Sequence, residues 1–184
     1  MRARSKLIAI AAAAGMAVAS SAGLAGPALA APGDTIATFT LSGGALAITV
    51  PASTVALATG TVNTGAATAA GQLGTVTVAD NRGALVNSWT TTVSSTTFVT
   101  GTSTADETVT VAKIAYSSGA STAHTGLGAF VPGTLANGGV PGTAASYTGA
   151  AGNSSTSWNP TLTFTLLSSQ VAGTYTGTVT HSVA

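Results

Sequence analysis

The amino-acid sequence predicts an all-β protein of antiparallel strands, a sandwich or a barrel, on three observations. Apolar residues recur at every second position in segment after segment, the spacing of strands with one buried face. Turn-forming groups fall between those segments: Ser42-Gly43-Gly44, Thr59-Gly60, Asp80-Asn81-Arg82-Gly83 and Ala172-Gly173. Nothing of helical period alternates with them, which argues against βαβ units.

The elements follow in order. Leu46, Ile48 and Val50 alternate with Ala45, Ala47 and Thr49, and Val55 and Leu57 continue the pattern beyond Pro51. Val76 and Val78 alternate with Thr75, Thr77 and Ala79. Trp89, Thr91 and Val93 share one face, with Thr90, Thr92 and Ser94 on the other. Residues 117–159 differ, being rich in Gly, Ser, Ala and Asn and carrying Pro132 and Pro141. The span is too long for an ordinary connection. It is expected to hold one or two weak strands, near Ala129-Phe130-Val131 and Ser146-Tyr147, or to form a long mobile loop. Leu162, Phe164 and Leu166 then alternate with Thr161, Thr163 and Thr165. In the last segment Tyr175, Gly177, Val179, His181 and Val183 face one way, and Thr176, Thr178, Thr180 and Ser182 the other.

Residues 1–30 read as a cleaved signal peptide. Arg2, Arg4 and Lys6 precede an apolar run from Leu7 to Ala19, and small residues lead to Ala28-Leu29-Ala30, an A-x-A cleavage site. The run is too short and too Ala-rich to cross about 30 Å of hydrocarbon. Cleavage after Ala30 leaves Ala31 first and keeps Pro32 one residue away from the scissile bond. Residues 31–184 are expected to form a single domain, secreted and without membrane insertion.

The leader takes three of the five cations with it. Arg82 and Lys113 remain against Asp34, Asp80, Asp106 and Glu107, two cations against four acids and a formal charge of −2. Two cations cannot neutralise a row of phosphates, so nucleic acid is not an expected partner. There is no cysteine, so burial and hydrogen-bond ladders must hold the domain without disulfides. With charge so scarce, solubility falls to the Thr and Ser hydroxyls.

Two segments resemble a known family. Thr75 to Gly83, followed by Trp89-Thr90-Thr91-Thr92-Val93, and the terminal Tyr175 to Val183 are similar to the WxL domain of Gram-positive cell-surface proteins. In that family a D-x-R-G turn precedes a first Trp-x-Leu, and a second lies in the last strand after a Tyr and a β-branched residue. Here Thr91 stands for the first Leu, His181 for the second Trp and Val183 for the second Leu; Tyr175 and Val179 match in place. The frame spans about 35–184. The resemblance implies an immunoglobulin-like β-sandwich that attaches non-covalently to peptidoglycan. A shorter likeness, Gly173-Thr174-Tyr175-x-x-x-Val179, is similar to the last strand of pilin-like and spore-coat-like sandwiches. It points to a structural subunit that self-associates by strand addition.

The candidate wall-binding residues are Trp89, Arg82, Asp80 and Trp158. Trp89 is either a sugar-stacking ring or, by its phase with Val93, a core residue. Trp158, before Asn159-Pro160, either rims a glycan site or covers the end of the sandwich. Arg82 could take a stem-peptide carboxylate as a bidentate fork; otherwise Asp80 closes an Asx-type turn and Arg82 lies over the sheet edge. His181 is expected inward and hydrogen-bonded, and His124 has no patterned partner. Two histidines without cysteine give no zinc spacing. Asp106-Glu107 lacks neighbouring oxygens for calcium. There is no G-x-S-x-G elbow, P-loop or G-x-G-x-x-G. The expectation is a non-enzymatic module with no cofactor, whose partners are peptidoglycan or other cell-surface proteins.

Overall fold

Among the described residues, fourteen short strands realise the period-two pattern. A computed structural model describes residues 37–52, 55–57 and 62–184. The leader, its cleavage site and the Thr59-Gly60 turn lie outside the described residues. The strands are β1 (Leu46–Thr49), β2 (Thr68–Gln72), β3 (Val76–Asp80), β4 (Asn87–Ser95), β5 (Phe98–Val99), β6 (Thr108–Val109) and β7 (Ile114–Ser117). They continue as β8 (Ser121–Thr125), β9 (Ala129–Pro132), β10 (Thr134–Leu135), β11 (Gly142–Ala150), β12 (Ser154–Trp158), β13 (Thr161–Thr165) and β14 (Val179–Val183). All fall in the unit Thr40–Ala184.

The strands form three four-stranded sheets, ordered β1-β3-β12-β8, β10-β7-β13-β2 and β14-β4-β11-β9, with a small β5-β6 ribbon. Every pairing is antiparallel. The first two sheets reuse the same three stretches of chain in the same order, β3-β12-β8 and β2-β13-β7. They are one layer of long strands, each broken at Leu73-Gly74-Thr75, Ser118-Gly119-Ala120 or Asn159-Pro160. Gly74 (φ +88°) and Gly119 (φ +66°) supply the left-handed backbone of two breaks. The third is stitched to the first: Leu73 N–H donates to the Pro160 carbonyl at 2.8 Å and Gly74 N–H to Asn159 Oδ1 at 3.0 Å.

The β14-β4-β11-β9 sheet is the opposite layer. Its inward residues meet two sets of core side chains. Trp89 and Tyr147 pack with Val76, Val78 and Trp158; Val93 and Ala144 pack with Ile114, Tyr116, Leu162 and Phe164. This is an all-β, sandwich-like arrangement, as the alternation predicts. On β4, Asn87, Trp89, Thr91 and Val93 are buried and the residues between them exposed up to Ser94. Fully burying an apolar side chain of this kind contributes about 1.5–3 kcal/mol.

Three expectations are corrected. Residues 117–159 form no long loop: β8 to β12 all lie there, and β11 is an inner strand between β4 and β9. Ala and Ser are weak strand formers by propensity, but Ala144, Ala145, Ala150 and Ser154 are buried, and their small side chains make room for large rings. Val50 lies beyond the end of β1 and is exposed, and Val55 and Leu57 belong to no strand. The last segment keeps its predicted phase, but its ladder with β4 begins only at Val179. Before that, Thr176 and Val99 exchange backbone bonds of 3.0 and 2.9 Å, and a Cβ on Gly177 would come within 2.7 Å of the Phe98 ring. The chain is held against β5 there, where only glycine fits.

Candidate functional site

Asp80 ends β3 at the last inward position of the run Val76, Val78, Asp80, and its side chain is completely buried. Arg82 folds back over it. Its backbone N–H donates to Asp80 Oδ1 at 3.1 Å, its Nε to Oδ1 at 2.9 Å and its Nη2 to Oδ2 at 2.8 Å. Nη2 also donates to the Ser88 carbonyl at 2.8 Å, fastening the turn to β4. The local alternative is the one that forms: the Asx turn closes, and the bidentate fork of Arg82 is made to Asp80 within the chain. These hydrogen bonds hold the Asp80 carboxyl below the usual carboxylate range, against the opposing effect of burial. Arg82 keeps 36% of its side chain exposed, and Nη1 makes no hydrogen bond among the described residues.

The two tryptophans come together but are closed to solvent. Trp89 is 3% exposed and Trp158 0%. Trp89 stacks on Tyr147 at 5.3 Å between ring centroids and on Trp158 at 6.1 Å, with Phe130 tilted against both. Neither indole offers a face to a sugar, so both belong to the core as its central plug. Thr91, where the family pattern has Leu, is buried and donates from Oγ1 to the Ala145 carbonyl at 3.1 Å. Ala145 lies at a register shift of β11 against β4, so the hydroxyl satisfies a carbonyl at the bulge that a leucine would leave without it.

His181 faces inward as its phase predicts and is partly buried. Its Nε2 lies 3.1 Å from the Tyr116 hydroxyl, which is also 3.3 Å from Trp158 Nε1. The indole N–H can only donate, so it gives its proton to Tyr116 Oη, and the tyrosine in turn donates to His181 Nε2. That order leaves the imidazole proton on Nδ1. Burial lowers the His181 pKa to about 4 and raises that of Tyr116 to about 12. The other residues of this segment that the resemblance singles out share this inward face: Tyr175 and Val179 pack on the Phe164 core, and Val183 on the Trp89 core. His124, without a partner in the sequence pattern, has Nδ1 3.0 Å from the Tyr147 hydroxyl. Glu107 Oε2 is occupied by Thr102 and Thr104 through their backbone N–H groups and hydroxyls. These bonds, Thr104 foremost, hold its carboxyl below the usual range.

Sequence reasoning missed the exposed apolar loops around Arg82. Leu85 and Val86 are 86% and 81% exposed in the β3–β4 turn, and Leu127 is 66% exposed between β8 and β9. Hydrogen bonds gather these turns at one end of the sandwich. Gly152 N–H donates to Ala84 O at 2.9 Å, Asn87 Nδ2 to Gly152 O at 3.3 Å, and Tyr147 Oη to Leu127 O at 3.1 Å. Adjacent Leu85-Val86, a pair that cannot both share one strand face, just after the D-x-R-G turn, were the available signal. Comparison with protein-family models, with curated proteins and with solved structures returns no match.

Proposed function

We propose that the chain is a non-enzymatic, exported cell-surface module of the immunoglobulin-like, WxL-like class, attaching non-covalently to peptidoglycan. The observation that carries this reading is the loop end around Arg82. Large apolar side chains stand in solvent at Leu85, Val86 and Leu127, at the same end as a guanidinium whose Nη1 makes no hydrogen bond among the described residues. Exposed apolar groups rimmed by polar ones mark contact surfaces, and the Nη1 N–H groups of Arg82 can donate to stem-peptide carboxylates and carbonyls. The buried Trp89–Trp158 stack supports this end from beneath and takes no part in contact.

The test is co-sedimentation of the mature protein with purified Gram-positive peptidoglycan. Replacing Leu85 and Leu127 together by serine is expected to weaken pelleting about 30-fold, since losing a contact hot spot costs about 2 kcal/mol. Both side chains are exposed, so the β circular dichroism should be unchanged. A wild-type protein that stays in the supernatant refutes the proposal.

A second reading, a structural subunit assembling by strand addition, draws on β8. This strand closes the edge of its sheet, all five of its residues are exposed, and it carries no Lys, Asp, Glu or Pro. Such edges pair with other chains unless blunted. Light scattering that shows growth with concentration, abolished by Ala123→Pro, would favour it over wall attachment.

A further inference from the structure

We infer that the cavity at the other end of the sandwich binds one uncharged, largely hydrocarbon small molecule. β4 starts beside the Arg82 loop and runs away from it to Ser95, so Phe98 and its surroundings lie at the far end. The cavity there measures about 710 Å³, within the range of roughly 300–1,000 Å³ typical of small-molecule sites. Its floor is the core itself: Phe98 and Phe164, edge to face at 4.8 Å and 70°, with Val109, Ala69, Leu57 and Leu166 around them.

Two further observations set the chemistry of the occupant. Of the polar side chains that line the cavity, Tyr175 and Gln170 are spent on the protein, and the others, Asn63, Thr64, Thr174 and Thr176, carry no charge. Tyr175 Oη reaches the carbonyls of Asp106 at 3.1 Å and Val171 at 2.9 Å; Gln170 accepts from Leu167 N–H and donates to Thr108 O, both at 3.1 Å. Among the described residues, no lysine or arginine lines the cavity. An anionic headgroup would enter without a counter-charge and lose its hydration, which is costly. A neutral molecule loses only its apolar contact with water.

The wall over the cavity is also fixed in advance. Val171 N–H donates to Asp106 O at 3.1 Å, and Thr176 is bonded both ways to Val99. A preformed wall lowers the ordering cost of binding. The same bonds argue against a strand from a second copy as the occupant. Val99 and Thr176 have already spent their backbone groups on each other, and Leu166 N–H donates to Ala67 O at 2.9 Å.

The probe is N-phenyl-1-naphthylamine, a neutral fluorophore, added to the mature protein at neutral pH. The expected result is saturable binding of one molecule per chain, displaced by dodecanol and about tenfold less well by dodecanoate. Methyl resonances of Val109 and Leu166 should shift, and those of Leu85 and Leu127 should stay in place. Ala69→Phe, which fills the cavity, should abolish the fluorescence gain. The methyl shifts in the wild-type protein decide the matter if that variant does not fold. Absence of saturable binding, shifts confined to the Leu85 end, equal displacement by dodecanoate, or dimerisation that competes with the probe would each overturn the inference.

Discussion

Removing the Arg82 side chain should cost the fold more than its place in a surface turn suggests. Arg82→Ala deletes the Nε and Nη2 bonds to Asp80 and the bond to Ser88 O, leaving only the backbone N–H on the carboxylate. Breaking a fully buried pair by removing one partner costs about 3–5 kcal/mol, much of it from the charge left behind. Asp80 is fully buried but Arg82 is about one-third exposed, so water can replace part of what is lost, and the expected cost falls to about 2–3 kcal/mol. In a domain of this size that lowers Tm by roughly 5–10 °C. Urea unfolding followed by tryptophan fluorescence is the assay, because the Trp89–Trp158 stack lies on the adjoining strands. Asp80→Asn, which keeps the shape and removes the charge, should cost less, about 1–2 kcal/mol. The pair also sets an acid limit. The Asp80 pKa is lower in the folded than in the unfolded chain, so its stabilisation is complete above about pH 4 and is lost as pH falls through the folded value. A cost below about 0.5 kcal/mol for Arg82→Ala, or the same acid midpoint in wild type and Asp80→Asn, would refute the reasoning.

Three further outcomes are expected. His181 is depressed to about 4 against about 6.5 in the unfolded chain; the unfolded chain binds the extra proton, so stability is complete above about pH 6.5 and declines from there toward pH 4. An NMR titration in which the His181 ring protonates near pH 6.5 would contradict its placement. Tyr116→Phe strips the buried Trp158 N–H of its acceptor and His181 of its donor, which should lower stability by about 1–3 kcal/mol in urea melts. Mass spectrometry of protein recovered from a secreting host should place the mature amino terminus at Ala31, and a product that keeps Leu7 to Ala19 would make the leader an anchor.

Where side chains alternate between apolar and hydroxyl-bearing, as from Trp89 to Ser94 and from Val179 to Val183, the sequence reveals both the strand and its inward face. Alternation is a direct image of a half-buried sheet. It fades between residues 117 and 159, because many of the buried positions there, Ala144, Ala145, Ala150 and Ser154 among them, are small side chains, which hydropathy barely separates from the Gly, Ser and Thr around them. β11 is held by neighbours on both sides and needs little propensity of its own. The site was harder to read for a different reason. Trp158 and Arg82 are residue types common at binding surfaces, but their roles were decided by partners far away in sequence or hidden in the turn, Tyr116 and Asp80. The apolar loops at Leu85 and Leu127 stand out only once folding has shown which leucines are left outside.

The three coordinated breaks in the long-strand layer divide the interior into two nuclei, one around Trp89 and Trp158 and one around Phe98 and Phe164. The hydrogen bond from Trp158 to Tyr116 joins a member of one nucleus to a member of the other. Such an interior behaves as two cooperative units in series. Amides on β3 and β12 are therefore expected to exchange with solvent deuterium through one opening event, and those on β2 and β13 through another. The free energies of the two openings differ by as much as the Tyr116 junction fails to couple them. A molecule bound in the far cavity would then be expected to tighten its own half first, with its influence on the Arg82 end carried by that junction, the bonds across the breaks and the strands β4 and β11.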